Sequence, residues 1–351
     1  MKRVVVERFG GPEVLRVVEE DDPRPGPGEV RVKVLAAGVS FTDSQLRAGT
    51  YIPGGPKPPF TPGYELVGVV EELGPGCSRL GEGDRVGALT VWGADAERVC
   101  VPEAGAVEVP EELDPAEVLS LVFTYMTAYQ VLHRTAMVQS GETVLVHGAA
   151  GRVGTAALEL GAVAGARLYG TASAADRAEV ERLGAVAIDY QNEDFLGRVR
   201  ELPGKGVDVV LDSLGGPLSV RSFRALRPGG RLVVFGRYAT LSRGRKNWPA
   251  VIEWYAAIPT VWLWGMLSPR RRVLKYQIQK FRDAAQQRPG AVGGEPRYPE
   301  WFREDFAALL ELLRADKIHP VVAERLPLSE ARRAHELLER SASKGKLVLV
   351  P

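Results

Sequence analysis

Short apolar, β-branched runs broken by polar turns fill the first third of the chain. EVRVKVLAAGVS (29–40) and YELVGVVEELG (64–74) are two such runs. The clusters DDPRPGPGE (21–29) and LGEGDRVG (80–87) punctuate them with proline, glycine and charge. Brief β-branched segments between tight-turn signals predict a compact, mostly β domain over residues 1–120.

Near Leu121 the texture changes, and apolar strands begin to alternate with helical patterns. VLVHG (144–148) precedes a helix through RVGTAALELGAVAG, and RLYGTAS (167–173) precedes one through AADRAEVERLG. AVAIDY, the helix NEDFLGRVREL, VDVVLD, a helix through SVRSFRAL and RLVVFG complete the run. Five strands with intervening helices predict a parallel sheet covered on both faces, placed here over residues 121–278. Residues 279–351 are assigned to a return to the first domain, because the tail KLVLVP reads as a final strand rejoining an earlier sheet.

Bulk composition narrows the class. A chain of 351 residues, 45% hydrophobic and 25% charged, is expected to be a soluble protein of two domains, or of one domain with a large companion. A formal net charge of +1 gives no reason to expect nucleic acid or an anionic membrane as main partner. Cys77 and Cys100 make neither a disulfide framework nor a zinc-ribbon spacing. The opening MKRVVVERFGG turns polar too early for a signal peptide, so a cytoplasmic location is expected.

The first chemistry lies in VLVHGAAGRVG (144–154). An apolar strand enters Gly148, Gly151 and Gly154, and Arg152 and Val153 open the helix behind. Glycines admit positive φ and let a pyrophosphate approach the backbone, while the helix N-terminus offers unpaired N–H groups. That context makes the triplet a dinucleotide cradle. Arg152 either reaches phosphate oxygens or is a solvated first-turn residue. The second strand ends GTAS without the acid that an NAD ribose wants. Ser173 and Arg177 instead suit a 2′-phosphate, which points to NADPH.

The ordered series AAGVSFTD, TPGYELVGVVEELG, GDRV, TYMTAYQVL, HGAAGRVG, IDYQNEDF, DVVLDSLGG, LRPGGRLVVFG, AHELLE and GKLVLV carries a family resemblance. The sequence resembles the zinc-free quinone oxidoreductase branch of the medium-chain dehydrogenase/reductase superfamily. Within it, YPEWFREDFAALLELL resembles bacterial vesicle-amine-transport-like members. The resemblance implies an α/β protein in which a GroES-like β-rich domain accompanies a doubly wound Rossmann domain, with the active site between them. It makes Tyr190 an adenosine-phosphate contact and puts Gly215, Phe235 and Gly236 along the nicotinamide ribose and ring. Thr127 takes the place of a threonine near the nicotinamide, and a homodimer is the usual assembly.

Zinc-dependent members place a cysteine where this chain has Ser40 and a histidine where it has Tyr64. Serine and tyrosine hydroxyls hold their protons at neutral pH and are poor zinc ligands, so no catalytic metal is expected. The implied activity is metal-free hydride transfer from NADPH to quinones or α,β-unsaturated carbonyls. Tyr51 stands where related enoyl reductases carry a tyrosine proposed as proton donor; a gate residue, with water as the proton source, is the other reading. Ser40 replaces the usual asparagine near the nicotinamide and keeps one donor. Asp43 and Glu65 read as structural. Two rivals stay open. One is an enoyl-thioester reductase using Arg243, Arg245 and Lys246, and the other a lipid- or ligand-binding protein with little turnover. The stretch WPAVIEWYAAIPTVWLWGML (248–267) is interrupted by Glu253 and Pro259, against the ~20 cleanly apolar residues of a membrane span. Walling a lipophilic cleft, packing at a subunit interface and lying in a membrane surface are its readings, in that order.

Overall fold

Two short strands open the chain, β1 (Lys2–Val6) paired antiparallel with β2 (Leu15–Glu19). The long β3 (Glu29–Val39) then runs into α1 (Phe41–Arg47). After it come β4 (Glu65–Leu73), β5 (Arg85–Leu89), β6 (Arg98–Pro102) and β7 (Ala106–Glu108). In β3 the side chains of Val30, Val32 and Val34 are buried while Lys33 points to solvent, so period-two alternation sets which face packs. The computed structural model describes residues 1–51, 55–202, 205–242, 245–278, 298–340 and 344–351.

A helical run follows, α2 (Pro115–Ser120) and α3 (Met126–Tyr129), each continued by a wide turn (Leu121–Tyr125 and Gln130–Ala136). Asp114 caps α2 by accepting from the N–H groups of Ala116 and Glu117, satisfying donors that the first turn leaves unpaired.

From Thr143 strands and helices alternate. β8 (Thr143–His147) leads to α4 (Arg152–Val163), and β9 (Arg167–Ala172) to α5 (Arg177–Arg182). β10 (Val186–Asp189) leads to α6 (Phe195–Arg200), and β11 (Val207–Asp212) to α7 (Pro217–Ala225). β12 (Leu226–Val234), the small hairpin β13 (Leu241–Ser242) and β14 (Arg245–Lys246), α8 (Trp248–Leu267) and β15 (Arg272–Lys275) follow. The last elements are α9 (Tyr298–Arg314), β16 (Val322–Pro327), α10 (Ala331–Glu339) and β17 (Lys346–Val350).

These elements form two units, Met1–Met126 with Ile278–Pro351, and Thr127–Gln277. In the first unit the sheet order is β16-β17-β3-β4-β5-β7, with β6 also on β3. The tail strand β17 lies antiparallel to β3, pairing Leu347 with Val39 and Leu349 with Ala37. Phe306 of α9 packs on Gly87 of β5, where an added Cβ would stand 3.0 Å from its ring.

In the second unit six parallel strands run β10-β9-β8-β11-β12-β15. The sixth, β15, lies outside the five strands expected from the sequence. RVLK is a short edge strand flanked by arginines, and nothing in its composition separates it from a loop. Leu145, Val199, Val210, Phe223, Leu232 and Val261 close the core, each such burial worth about 1.5–3 kcal/mol.

Helix α8 runs unbroken through Pro259 and is long and apolar enough, by length and composition alone, to cross a membrane. Its Ile258, Val261 and Trp264 pack on the core of this unit. The opposite stripe exposes Ile252, Tyr255, Leu263, Met266 and Leu267. Spacings of three and four residues give the helix an inner and an outer face, both apolar.

Candidate functional site

The cradle at the end of β8 is built by main chain. Gly148 holds φ +67°, a left-handed conformation that glycine adopts without strain. At Gly154 an added Cβ would collide with Gly148 O and stand 2.7 Å from Ala149 O, so α4 can pack this closely only on glycine. Gly151 is the N-cap of α4 and no side chain caps the helix. The first turn of α4, which Arg152 and Val153 open, carries the positive end of the helix dipole, and that end favours an anion. A dinucleotide pyrophosphate fits this site.

Strand order reverses between β8 and β11, and the crevice at such a switch point is where open α/β sheets hold ligands. Ser213 sits beside Gly148 and donates its hydroxyl to His147 O (3.3 Å). Gly215 (φ +73°) and Gly216 (φ +71°) form the turn after β11, fastened by Gly215 N–H donating to Asp212 Oδ1 (2.8 Å). Phe235 N–H donates to Asp212 O (3.0 Å), and Gly236 lies against Ser213 O too closely for any Cβ. Gly215, Phe235 and Gly236 are therefore brought together. Trp254 of α8 covers Gly215, its Nε1 standing 2.5 Å from where a Cβ would be. Thr127 is buried, and its Oγ1 has no hydrogen-bond partner among the described residues.

At the end of β9 the Ser173 hydroxyl donates to Asp176 Oδ2 (2.7 Å). Arg177 donates from Nε to Glu181 Oε1 (3.0 Å) and lies 3.9 Å from Glu193. Both residues, expected from the sequence to read a 2′-phosphate, already have acidic partners. Tyr190, just past β10, is more than half exposed. His147 is buried between Thr171 Oγ1 (3.1 Å from Nδ1) and Ser222 Oγ (3.0 Å from Nε2). Burial lowers its pKa to about 4, so the ring is neutral. The Ser222 hydroxyl donates to Leu218 O, which leaves it to accept from Nε2–H.

In the first unit Ser40 is the N-cap of α1. Its N–H and its hydroxyl both donate to Asp43 Oδ2, at 2.8 and 2.6 Å, and Thr42 Oγ1 is 2.6 Å away. The proton expected to face a substrate is thus directed at Asp43. Gly63 N–H donates to the other Asp43 oxygen (3.1 Å), tying α1 to the turn before β4. The Tyr51 hydroxyl meets that of Tyr64 at 2.9 Å. Tyr64 is fully buried, and its ring lies 4.5 Å from that of Phe123.

Comparison with known proteins places these features. The alcohol dehydrogenase GroES-like domain model matches residues 26–111, and the zinc-binding dehydrogenase model matches 183–349. The human synaptic vesicle membrane protein VAT-1 homolog is 31% identical over 355 residues, covering 100% of this chain and 86% of that protein. A 2-haloacrylate reductase from Burkholderia sp is 32% identical, covering 99% of this chain and 98% of the enzyme. The crystal structure of Escherichia coli quinone oxidoreductase complexed with NADPH superposes with a TM-score of 0.80 at 28% identity, over 100% of each chain. The chain belongs to the zinc-free quinone oxidoreductase branch of the medium-chain dehydrogenase/reductase superfamily.

As a member of this oxidoreductase branch, the protein carries hydroxyls at the two zinc-ligand positions, and both are engaged, Ser40 with Asp43 and Tyr64 with Tyr51. Among the described residues no three His, Cys, Asp or Glu side chains converge as a metal-ligand set. What sequence reasoning missed is a buried group of charges behind them. Asp43, Glu65, Asp95 and Lys346 are all buried, and Lys346 of β17 pairs with Glu65 of β4. Burial, then the neighbouring Asp43, holds the Asp95 carboxyl well above the usual carboxylate range. Neither Asp95 oxygen has a partner among the described residues. Burial also raises Asp43, against its hydrogen bonds from Ser40, the charge of Lys346 and the Gly63 N–H. Nothing in GADAERV marks Asp95 as buried. Its neighbours come from three distant segments.

Proposed function

We propose that the protein is an NADPH-dependent, metal-independent reductase that transfers hydride to quinones or α,β-unsaturated carbonyls. The observation that carries this reading is the Tyr51–Tyr64 hydroxyl pair at a position where zinc-dependent relatives hold a metal ligand. The uncapped α4 cradle and the NADPH bound by the Escherichia coli relative support the cofactor assignment.

Bound at the cradle, the reduced nicotinamide supplies a hydride to the electron-poor carbon of the substrate. The chain's own groups do the rest. The start of α4 at Val153 and Gly154 would hold the pyrophosphate, and Thr127 Oγ1 would offer an uncommitted hydroxyl to the nicotinamide half. Negative charge then builds on the substrate carbonyl oxygen, and the α-carbon needs a proton. Tyr51, half-buried, carries the phenol O–H that gives that proton. Ser40 and Asp43 fix the loop that carries Tyr51. The thioester variant of this chemistry needs basic contacts to a pantetheine phosphate. Arg243 lies outside the described residues, as do the side chains of Arg245 and Lys246.

The test is nicotinamide absorbance decay with NADPH and NADH against a naphthoquinone, a long-chain 2-enone and an enoyl thioester, with and without chelator. Chelator-insensitive oxidation of NADPH by quinone or enone, with kcat for the enone cut about 10²-fold in Tyr51→Phe, is expected. NADPH binding without turnover on any acceptor would overturn it and return the weight to a ligand-binding role.

A further inference from the structure

Tyr64 is held from every side. Thr90 N–H and Val91 N–H both donate to its carbonyl (3.0 Å each), its ring packs on Phe123, and the next residue, Glu65, pairs with Lys346. Tyr51 is placed by one turn of loop after α1, where its N–H donates to Gln45 O (3.1 Å). Its hydroxyl reaches 2.9 Å from the Tyr64 hydroxyl. A fixed, fully buried phenol therefore stands behind a half-buried one.

We propose that Tyr64 is a positioning residue for the reaction, one that aims the Tyr51 hydroxyl and stabilises it once its proton has left. The inference rests on the reading of Tyr51 as proton donor. While both phenols are neutral, either oxygen can donate. When Tyr51 passes its proton to the substrate α-carbon, its O–H bond breaks, a C–H bond forms, and a phenolate remains. A phenolate only accepts, so Tyr64 O–H must then be the donor of the pair. A hydrogen bond to a charged oxygen is roughly twice as strong as one between neutral groups, so the pair tightens as the proton moves. An interaction stronger in the transition state than in the ground state raises kcat rather than lowering KM. The phenolate regains its proton from water before the next turnover.

The test compares Tyr64→Phe, Tyr51→Phe and the double variant, with enone and NADPH. Tyr64→Phe is expected to lower kcat about ten- to hundred-fold at unchanged KM, the loss set by one hydrogen bond to a charged group. The solvent deuterium isotope effect on kcat should rise, and the double variant should be no slower than Tyr51→Phe alone. Tyr64→Met, which also lacks the hydroxyl, should show the same loss if Tyr64→Phe fails to fold. A Tyr64 variant with wild-type kcat and isotope effect, beside an impaired Tyr51→Phe, overturns this inference alone. So does a Tyr64→Phe loss that multiplies fully onto that of Tyr51→Phe. A Tyr51→Phe enzyme as fast as wild type overturns the donor reading, and this inference with it.

Discussion

In the Thr127–Gln277 unit, the cradle consists of main chain. Gly148, Gly151 and Gly154 shape it, and α4 begins there with no side-chain cap. In the unit holding Ser40, Tyr51 and Tyr64 the arrangement is the reverse. There hydroxyls face one another over Asp43, Glu65, Asp95 and Lys346, and the backbone serves to bring them together. A backbone-built site fails when a side chain is added. A site built from side chains fails when a partner is removed, and its charges register in stability as well as in turnover.

The sharpest way to break that contrast is Gly154→Val. The new Cβ would meet two backbone carbonyls, Gly148 O and Ala149 O, and neither can swing aside. Overpacking of this kind costs about 1–3 kcal/mol, and here it falls on the phosphate loop itself. NADPH titration followed by fluorescence should show binding too weak to saturate, while circular dichroism stays native. Wild-type affinity in this variant would mean that the cradle is not the nucleotide site.

Asp95→Asn tests the other side. The folded Asp95 keeps its proton well above the pH at which the unfolded residue loses it. Between those two values the native state binds more protons than the unfolded one, so stability falls as pH rises. The asparagine variant has no such titration. Whatever offset it shows near pH 4, its stability relative to wild type should climb with pH, by at most about 1.4 kcal/mol per pH unit, until the folded pKa is passed. Thermal melts across that range check it. Parallel curves for the two proteins would show that Asp95 is ionised in the fold.

The same contrast explains what could be read from the sequence. The alternating α/β run and the strand–glycine–helix signature of 144–154 were legible because glycine and β-branched residues have few uses. Gly148 has to reach φ +67°, and the sequence around it says so locally. Asp43 as a cap was legible for the same reason, since Ser-x-x-Asp sits at a helix start. Asp95 and Lys346 were not. Their burial depends on β17 returning to β3 some 300 positions later, and a carboxylate or lysine is ordinarily a surface residue. The Tyr51–Tyr64 pair was half-legible: each tyrosine stood out by position, but only the fold shows that their hydroxyls meet. Strand β15 was missed because four residues at a sheet edge carry too little pattern.

One part of the second unit breaks its own rule, and the smallest expected effect lies there. A 2′-phosphate at the end of β9 would be recognised by side chains, Ser173 and Arg177. Yet Ser173 gives its proton to Asp176, and Arg177 is drawn to Glu181 and Glu193. A phosphate arriving there must compete with carboxylates for the guanidinium, at an exposed site where a surface ion pair contributes little. Arg177→Ala should therefore shift the ratio of kcat/KM for NADPH over NADH only about two- to fivefold toward NADH, as befits so weak a surface pair. Asp176→Asn removes an acid that would repel the phosphate and frees the Ser173 hydroxyl, so it should shift the ratio the opposite way. Steady-state rates with both cofactors decide it. Opposite shifts would show that discrimination between the two cofactors rests on exposed charges. An unchanged ratio in both variants would leave the main chain of the cradle as the whole of nucleotide recognition in this unit.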